Sequence, residues 1–216
     1  MMKGLTELVF ILDKSGSMSG LEDDTIGGFN SMLEKQKAVE GECYITTVLF
    51  DNNYELLHDH IDIRAVNPIT RKDYQVGGST ALLDAIGRTI NKIKNVQEHT
   101  AEDYRAEKVM FVIITDGAEN SSREYTAEKI RKLIEQQKEN CGWEFIFLGA
   151  NIDAVQTASQ FGISANRAQN YHADSLGVEL NFRVMCDAVA SFRECSEISE
   201  DWNHEIKEDY IKRGRR

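Results

Sequence analysis

The chain has 216 residues, of which 41% are hydrophobic, 28% charged and 8% aromatic. A chain of this length can bury roughly 70% of its unfolded surface, so it needs no disulfide or metal in order to fold. The balance excludes a disordered or fibrous protein. The 36 acidic and 25 basic residues give a net charge of -11, which argues against nonspecific nucleic-acid binding, because that needs a basic surface.

In chain order, the first feature is a short apolar run at residues 8–12. It is too short for the apolar part of a secretion signal, and Asp13 ends it at once. Similar unbroken runs occur at 44–50, 109–114 and 144–148. Rich in Val, Ile and Phe and without polar alternation, they predict strands buried on both faces, as in parallel sheets covered by helices. Residues 54–66 read as an edge strand and its connection, and 168–172 as a short sixth strand.

Segments of helical period lie between these runs. Ile26, Phe29 and Leu33 share one face, as do Leu82, Ile86, Ile90 and Ile93. Ile130, Leu133 and Ile134 mark a third helix, with Thr126 as its N-cap. Leu180, Val184, Ala188 and Phe192 mark a long helix near the C-terminus. Alternating strands and helices predict an α/β fold: a doubly wound, mostly parallel six-stranded sheet with one antiparallel edge strand and helices on both faces. The expected division is a domain over residues 1–195 and a charged helix or tail over 196–216, whose basic tip reads as a solubilising end.

Three short segments stand apart from this framework. Asp13-Lys14-Ser15-Gly16-Ser17 follows the first strand, Gly77-Gly78-Ser79-Thr80 precedes a helix, and Thr115-Asp116-Gly117 follows the 109–114 strand. In open α/β sheets, ligands bind beyond the carboxyl ends of the strands, where the strand order reverses. With the order 3-2-1-4-5-6, Asp13 and Asp116 face each other across that point. Ser15 and Ser17 alternate with Asp13 along an extended loop, and the glycines at 77, 78 and 117 permit turns that a side chain would block. Two carboxylates and three hydroxyls are hard oxygen donors, suited to Mg²⁺, Mn²⁺ or Ca²⁺ rather than zinc or copper. Such a set leaves a position open for water or an outside carboxylate.

The D-x-S-x-S segment, the later Thr in a Gly-rich loop and the T-D-G segment resemble the metal-ion-dependent adhesion site of von Willebrand factor A-type domains. The resemblance covers roughly residues 5–195. It implies a Rossmann-like fold in which Ser15 and Ser17 bind an ion directly, Thr80 does so in the ligand-competent form, and Asp13 and Asp116 act directly or through water. It further implies a protein partner whose Glu or Asp completes the shell, and movement of the last helix of the domain, here residues 177–192, on binding. The family gives a site rather than a partner.

The expected function is therefore a divalent-metal-dependent protein-binding module, with Mg²⁺ as the first candidate, acting as a cytoplasmic monomer without membrane or nucleic acid. Two alternatives stand beside it. A Mg²⁺-dependent phosphoryl-transfer or hydrolytic enzyme lacks D-x-D at position 15, a phosphate loop and a nearby His base. A scaffold using the fold without an ion would treat the same Ser, Thr, Asp and Gly residues as turn and cap formers. Of the remaining residues, 119–122 read as a solvated loop at the rim. His58 and His60, two apart on a strand, share a face near the edge. Trp143 and Trp202 read as packing residues. Cys43, Cys141, Cys186 and Cys195, none in a C-x-x-C pair, read as reduced core thiols.

Overall fold

The computed structural model describes residues 4–214. Six strands form one sheet in the order β3-β2-β1-β4-β5-β6. They are β1 (Thr6–Asp13), β2 (Cys43–Phe50), β3 (Tyr54–Asp62), β4 (Lys108–Asp116), β5 (Glu144–Ala150) and β6 (Ala168–Asn170). Only β3 runs antiparallel to its neighbour; every other pair is parallel. The six-stranded mixed α/β sheet read from the apolar runs is the one that forms.

Six helices cover it: α1 (Glu22–Ala38), α2 (Leu82–His99), α3 (Ala127–Cys141), α4 (Ala154–Gln160), α5 (Ser175–Cys195) and α6 (His204–Arg213). All eight residues of β1 are buried, because the two faces of the sheet carry separate cores. Leu8, Phe10 and Leu12 pack with Phe29 of α1 and Phe182, Met185 and Val189 of α5. Val9 and Ile11 point the other way, onto Leu82, Ile86 and Ile90 of α2 and Ile130 and Ile134 of α3. The helix α4 has seven residues, too few to show a period, and no helix was expected there.

The helix ends follow local chemistry. Acidic Glu22, Asp23 and Asp24 occupy the first turn of α1 and Lys35 and Lys37 its last, complementing the helix dipole. Thr126 caps α3 by accepting a bond from Lys129 N, as its position in the sequence implied. Asp174 caps α5 by accepting from Gly177 N. No helix of the described residues is long and apolar enough to cross a membrane.

Some expectations need correction. Cys43 and Cys186 are buried free thiols, but Cys141 and Cys195 are exposed; each ends a helix, where the chain turns back to solvent. His58 and His60 do not share a face. The β2–β3 register shifts near Thr47, and His60 adopts φ +50°. This bulge breaks the two-residue alternation. His58 therefore stacks on Phe29 beneath α1, with Nδ1 3.0 Å from Thr47 Oγ1. His60 turns to the opposite face, where its Nδ1 lies 2.6 Å from Oε2 of the fully buried Glu7. In the basic tip, Lys212 pairs with Glu208, and Arg213 with Asp174 and Asp209. Arg215 and Arg216 lie outside the described residues.

Candidate metal centre

Adjacent β1 and β4 end side by side where the chain leaves the sheet in opposite directions. Asp13 closes β1, and both oxygens of its carboxylate accept hydrogen bonds. Oδ1 accepts from Ser15 N at 2.7 Å, while Oδ2 accepts from Thr115 Oγ1 at 2.7 Å and from Asp116 N at 3.2 Å. Beyond it the chain does not stay extended. Gly16–Met18 form a 3₁₀ turn, and this turn, not strand alternation, brings Ser15 Oγ to 3.1 Å from Ser17 Oγ. Ser17 Oγ also donates to the Asp116 carbonyl.

The second segment is sewn to the first through the backbone. Gly77 N donates to Lys14 O at 2.9 Å and Gly16 N to Gly78 O at 3.1 Å. Gly78 has φ +73°, a left-handed conformation that favours glycine, and a Cβ there would displace the exposed Asn52 side chain. A Cβ at Gly77 would meet nothing within 4 Å; the expectation that it too must be glycine does not hold. Gly117 has φ +136°, and a Cβ there would lie 3.3 Å from Ser17 Oγ and 3.9 Å from Thr80 Oγ1. The two hydroxyls therefore flank one point above Gly117. All five residues read from the sequence, Asp13, Ser15, Ser17, Thr80 and Asp116, meet at this end of the sheet.

Residues 119–122 do lie at the rim, Asn120 exposed and Glu119, Ser121 and Ser122 partly buried, but they are more than a solvated loop. They brace Thr80. Asn120 Oδ1 accepts from Thr80 N at 2.9 Å, and Thr80 O accepts from Asn120 N at 3.0 Å and Ser121 N at 3.3 Å. Glu119 accepts from Leu83 N, Ser121 N and Ser122 N at 2.7–2.9 Å and from Ser122 Oγ at 2.7 Å. Asp84 answers from α2 by accepting from Arg123 N, Glu124 N and Tyr125 N at 2.8–2.9 Å. Asp84 lies in the first turn of α2, and nothing in the sequence marked it or Glu119 for this role. Two other residues at the centre carried no signal in sequence. Tyr74 donates its hydroxyl to the Asp13 carbonyl, and Asn151 donates Nδ2 to Asp116 Oδ1.

Burial pushes the Asp13 carboxyl up from its ordinary range, against hydrogen bonds from Ser15 and Thr115 that pull it back. Burial also raises Asp116; the Asn151 amide opposes this, and the nearby Asp13 charge adds to it. Among the described residues no Lys or Arg pairs with either carboxylate; Lys14 turns its Nζ to Glu55 instead. Two buried acids without a protein counter-charge, next to three hydroxyls, fit a divalent cation of the hard, oxygen-seeking kind. No group of three or more His, Cys, Asp or Glu able to hold a metal occurs among the described residues, so an ion here would depend on the hydroxyls.

No protein-family model matches the chain, and no curated protein matches it. Solved structures do. A von Willebrand factor type A protein from Catenulispora acidiphila is similar, with TM-score 0.57 and 13% identity over 86% of this chain and 42% of that one. VWA2, the ArnB paralog from Sulfolobus acidocaldarius, is similar with TM-score 0.52 and 16% identity, over 87% of this chain and 44% of that one. The pilus adhesin SpaC from Lactobacillus rhamnosus GG gives TM-score 0.65 and 12% identity, over 86% of this chain and 30% of that one. This chain thus spans less than half the length of each of these three proteins. Its strand order, its single antiparallel edge and these likenesses together establish that the chain has the fold of von Willebrand factor A-type domains.

Proposed function

We propose that this chain is a divalent-metal-dependent protein-binding module, its ion coordinated by a Glu or Asp of a partner protein. The observation that carries the reading is the approach of the Ser17 and Thr80 hydroxyls above Gly117, with Ser15 Oγ 3.1 Å from Ser17 Oγ, beside two buried carboxylates that no Lys or Arg pairs among the described residues. Ser15, Ser17 and Thr80 would hold the ion, with Asp13 and Asp116 acting directly or through water. Mg²⁺ is the preferred candidate, Mn²⁺ and Ca²⁺ the next. When bound, the ion supplies positive charge that neutral hydroxyls leave largely unquenched, and so an affinity for an outside carboxylate.

The surrounding groups support binding over catalysis. Asp13 and Glu119 are committed to backbone and hydroxyl donors. Among the described residues no His contacts Ser15 or Ser17 to serve as a base. With a net charge of -11, long-range attraction would not bring an acidic ligand in, so recognition rests on contact with the ion. The free thiols support a reducing compartment such as the cytoplasm, and we read the chain as a monomer there.

The test is calorimetry and thermal unfolding with MgCl₂, MnCl₂ and CaCl₂, followed by partner capture with Mg²⁺ or with EDTA. A cation at ~100-fold excess over Kd adds about 2.7 kcal/mol, or roughly 5–10 °C in melting temperature. Asp13→Ala is expected to lose both this gain and the capture. No heat with any of the three cations, or equal capture in EDTA, overturns the reading.

A further inference from the structure

The Asn151 side chain sits just beyond the last residue of β5 and holds one oxygen of Asp116. Asn151 is exposed and has φ +55°, a left-handed conformation that Asn tolerates better than most residues. Its Nδ2 donates to Asp116 Oδ1. Among the described residues no other group bonds the Asp116 carboxylate, while Ser17 Oγ takes up its carbonyl. Both oxygens of Asp13 already accept hydrogen bonds from the protein. The centre therefore presents one uncommitted carboxylate oxygen, Oδ2 of Asp116, together with its hydroxyls.

We infer that Asn151 is a positioning residue that sets the choice of cation, by keeping Asp116 a one-oxygen donor; this rests on the metal-binding reading above. Mg²⁺ takes single oxygens in a tight octahedral shell, whereas Ca²⁺ takes 6–8 ligands and uses carboxylates through both oxygens. An amide that occupies Oδ1 withholds the second oxygen and favours the smaller ion. Loss of the amide frees the carboxylate to turn and to chelate with both oxygens. Partners that orient a metal ligand in this way are typically worth about 10–100-fold in affinity.

The experiment compares the full chain with Asn151→Gly and Asn151→Asp by calorimetric titration with MgCl₂ and with CaCl₂. Glycine keeps the left-handed backbone open to the chain, and aspartate tolerates it while removing the donor. Thermal unfolding without cation checks that both variants fold. In both variants Mg²⁺ affinity is expected to fall by about 10-fold, with Ca²⁺ affinity held or raised, so that the ratio shifts toward Ca²⁺. A purely structural role would weaken both cations in proportion, and that result overturns the inference, as does an unchanged ratio. If only one variant folds, its ratio decides. A wild-type chain that takes up neither cation overturns the metal-binding reading itself, a failure seen before any variant is made.

Discussion

The carboxylate of Glu119 accepts a hydrogen bond from Leu83 N at 2.9 Å, tying the loop after β4 to the first turn of α2. Leu83 N is one of the nitrogens that a helix start leaves without an internal partner. The same carboxylate holds Ser121 N and Ser122 N, so the loop that carries Asn120 against Thr80 depends on it.

Glu119→Ala is expected to leave these partly buried donors unsatisfied, at a cost of about 1–3 kcal/mol. At roughly 2–4 °C per kcal/mol for a domain of this size, the melting temperature falls measurably. Cation affinity should fall with it, because Thr80 loses its brace. Glu119→Gln keeps one acceptor and should lose less. A variant as stable as the parent would show that the brace carries no energy.

Acidity should act on the cation-free protein in a defined direction. Asp13 and Asp116 both lie above their ordinary value of 3.8 in the folded state, so the folded chain binds more protons than the unfolded one in that window. Their contribution to stability therefore decreases as pH rises from about 3.8 through their folded values. The measurement is chemical denaturation across acidic pH. Asp116→Asn should flatten the trend and raise the stability of the cation-free protein, while removing the gain from Mg²⁺.

The Glu7–His60 pair should act in the opposite region. The hydrogen bond that His60 donates to Glu7 raises its pKa above 6.5, against partial burial, with Lys92 opposing and Asp59 reinforcing. The stabilisation is complete below pH 6.5 and is lost as pH climbs through the folded value. His60→Gln should remove this dependence, seen by denaturation between pH 6 and 9. It should also cost about 1.5–3 kcal/mol at low pH, as for a hydrogen bond to a charged group.

Two neighbouring glycines of α1 should respond with opposite signs. A Cβ on Gly27 would meet nothing within 4 Å, whereas one on Gly28 would stand 2.4 Å from Phe182 Cδ2 of α5. Gly27→Ala is expected to stabilise by about 0.5–1 kcal/mol through helix propensity. Gly28→Ala should destabilise by about 1–3 kcal/mol through overpacking. Thermal unfolding of the two variants checks both, and equal shifts would contradict the close approach of α1 and α5.

The fold was legible because burial on both faces leaves an unbroken apolar run, which needs no knowledge of partners. Residues 8–12 and 109–114 announced β1 and β4 and, with the strand order, the place where Asp13 and Asp116 meet. The hydroxyl donors were legible because they stand at fixed offsets within short motifs. Asn151 was not, because it reaches the centre from a loop 35 residues beyond Asp116, and Tyr74 was not, because a lone aromatic just before the Gly-rich segment has no periodicity to mark it. His60 was misplaced because a single left-handed residue reverses every facing that alternation assigns. Glu119 was read as solvated because an acid in a polar loop looks the same whether it faces water or four protein donors.

The cover over β6 has a consequence for how the sheet meets other chains. This strand has three residues, and Asn203, just before α6, donates to the outward carbonyl of Ala168 and to Gln169 Oε1. On the far side, the bulge at His60 bends β3, and charged Glu55, Asp59 and Asp62 line it. Neither margin offers a flat ladder for an incoming strand to extend. A barrier to fibre-like stacking is thus built into the architecture itself.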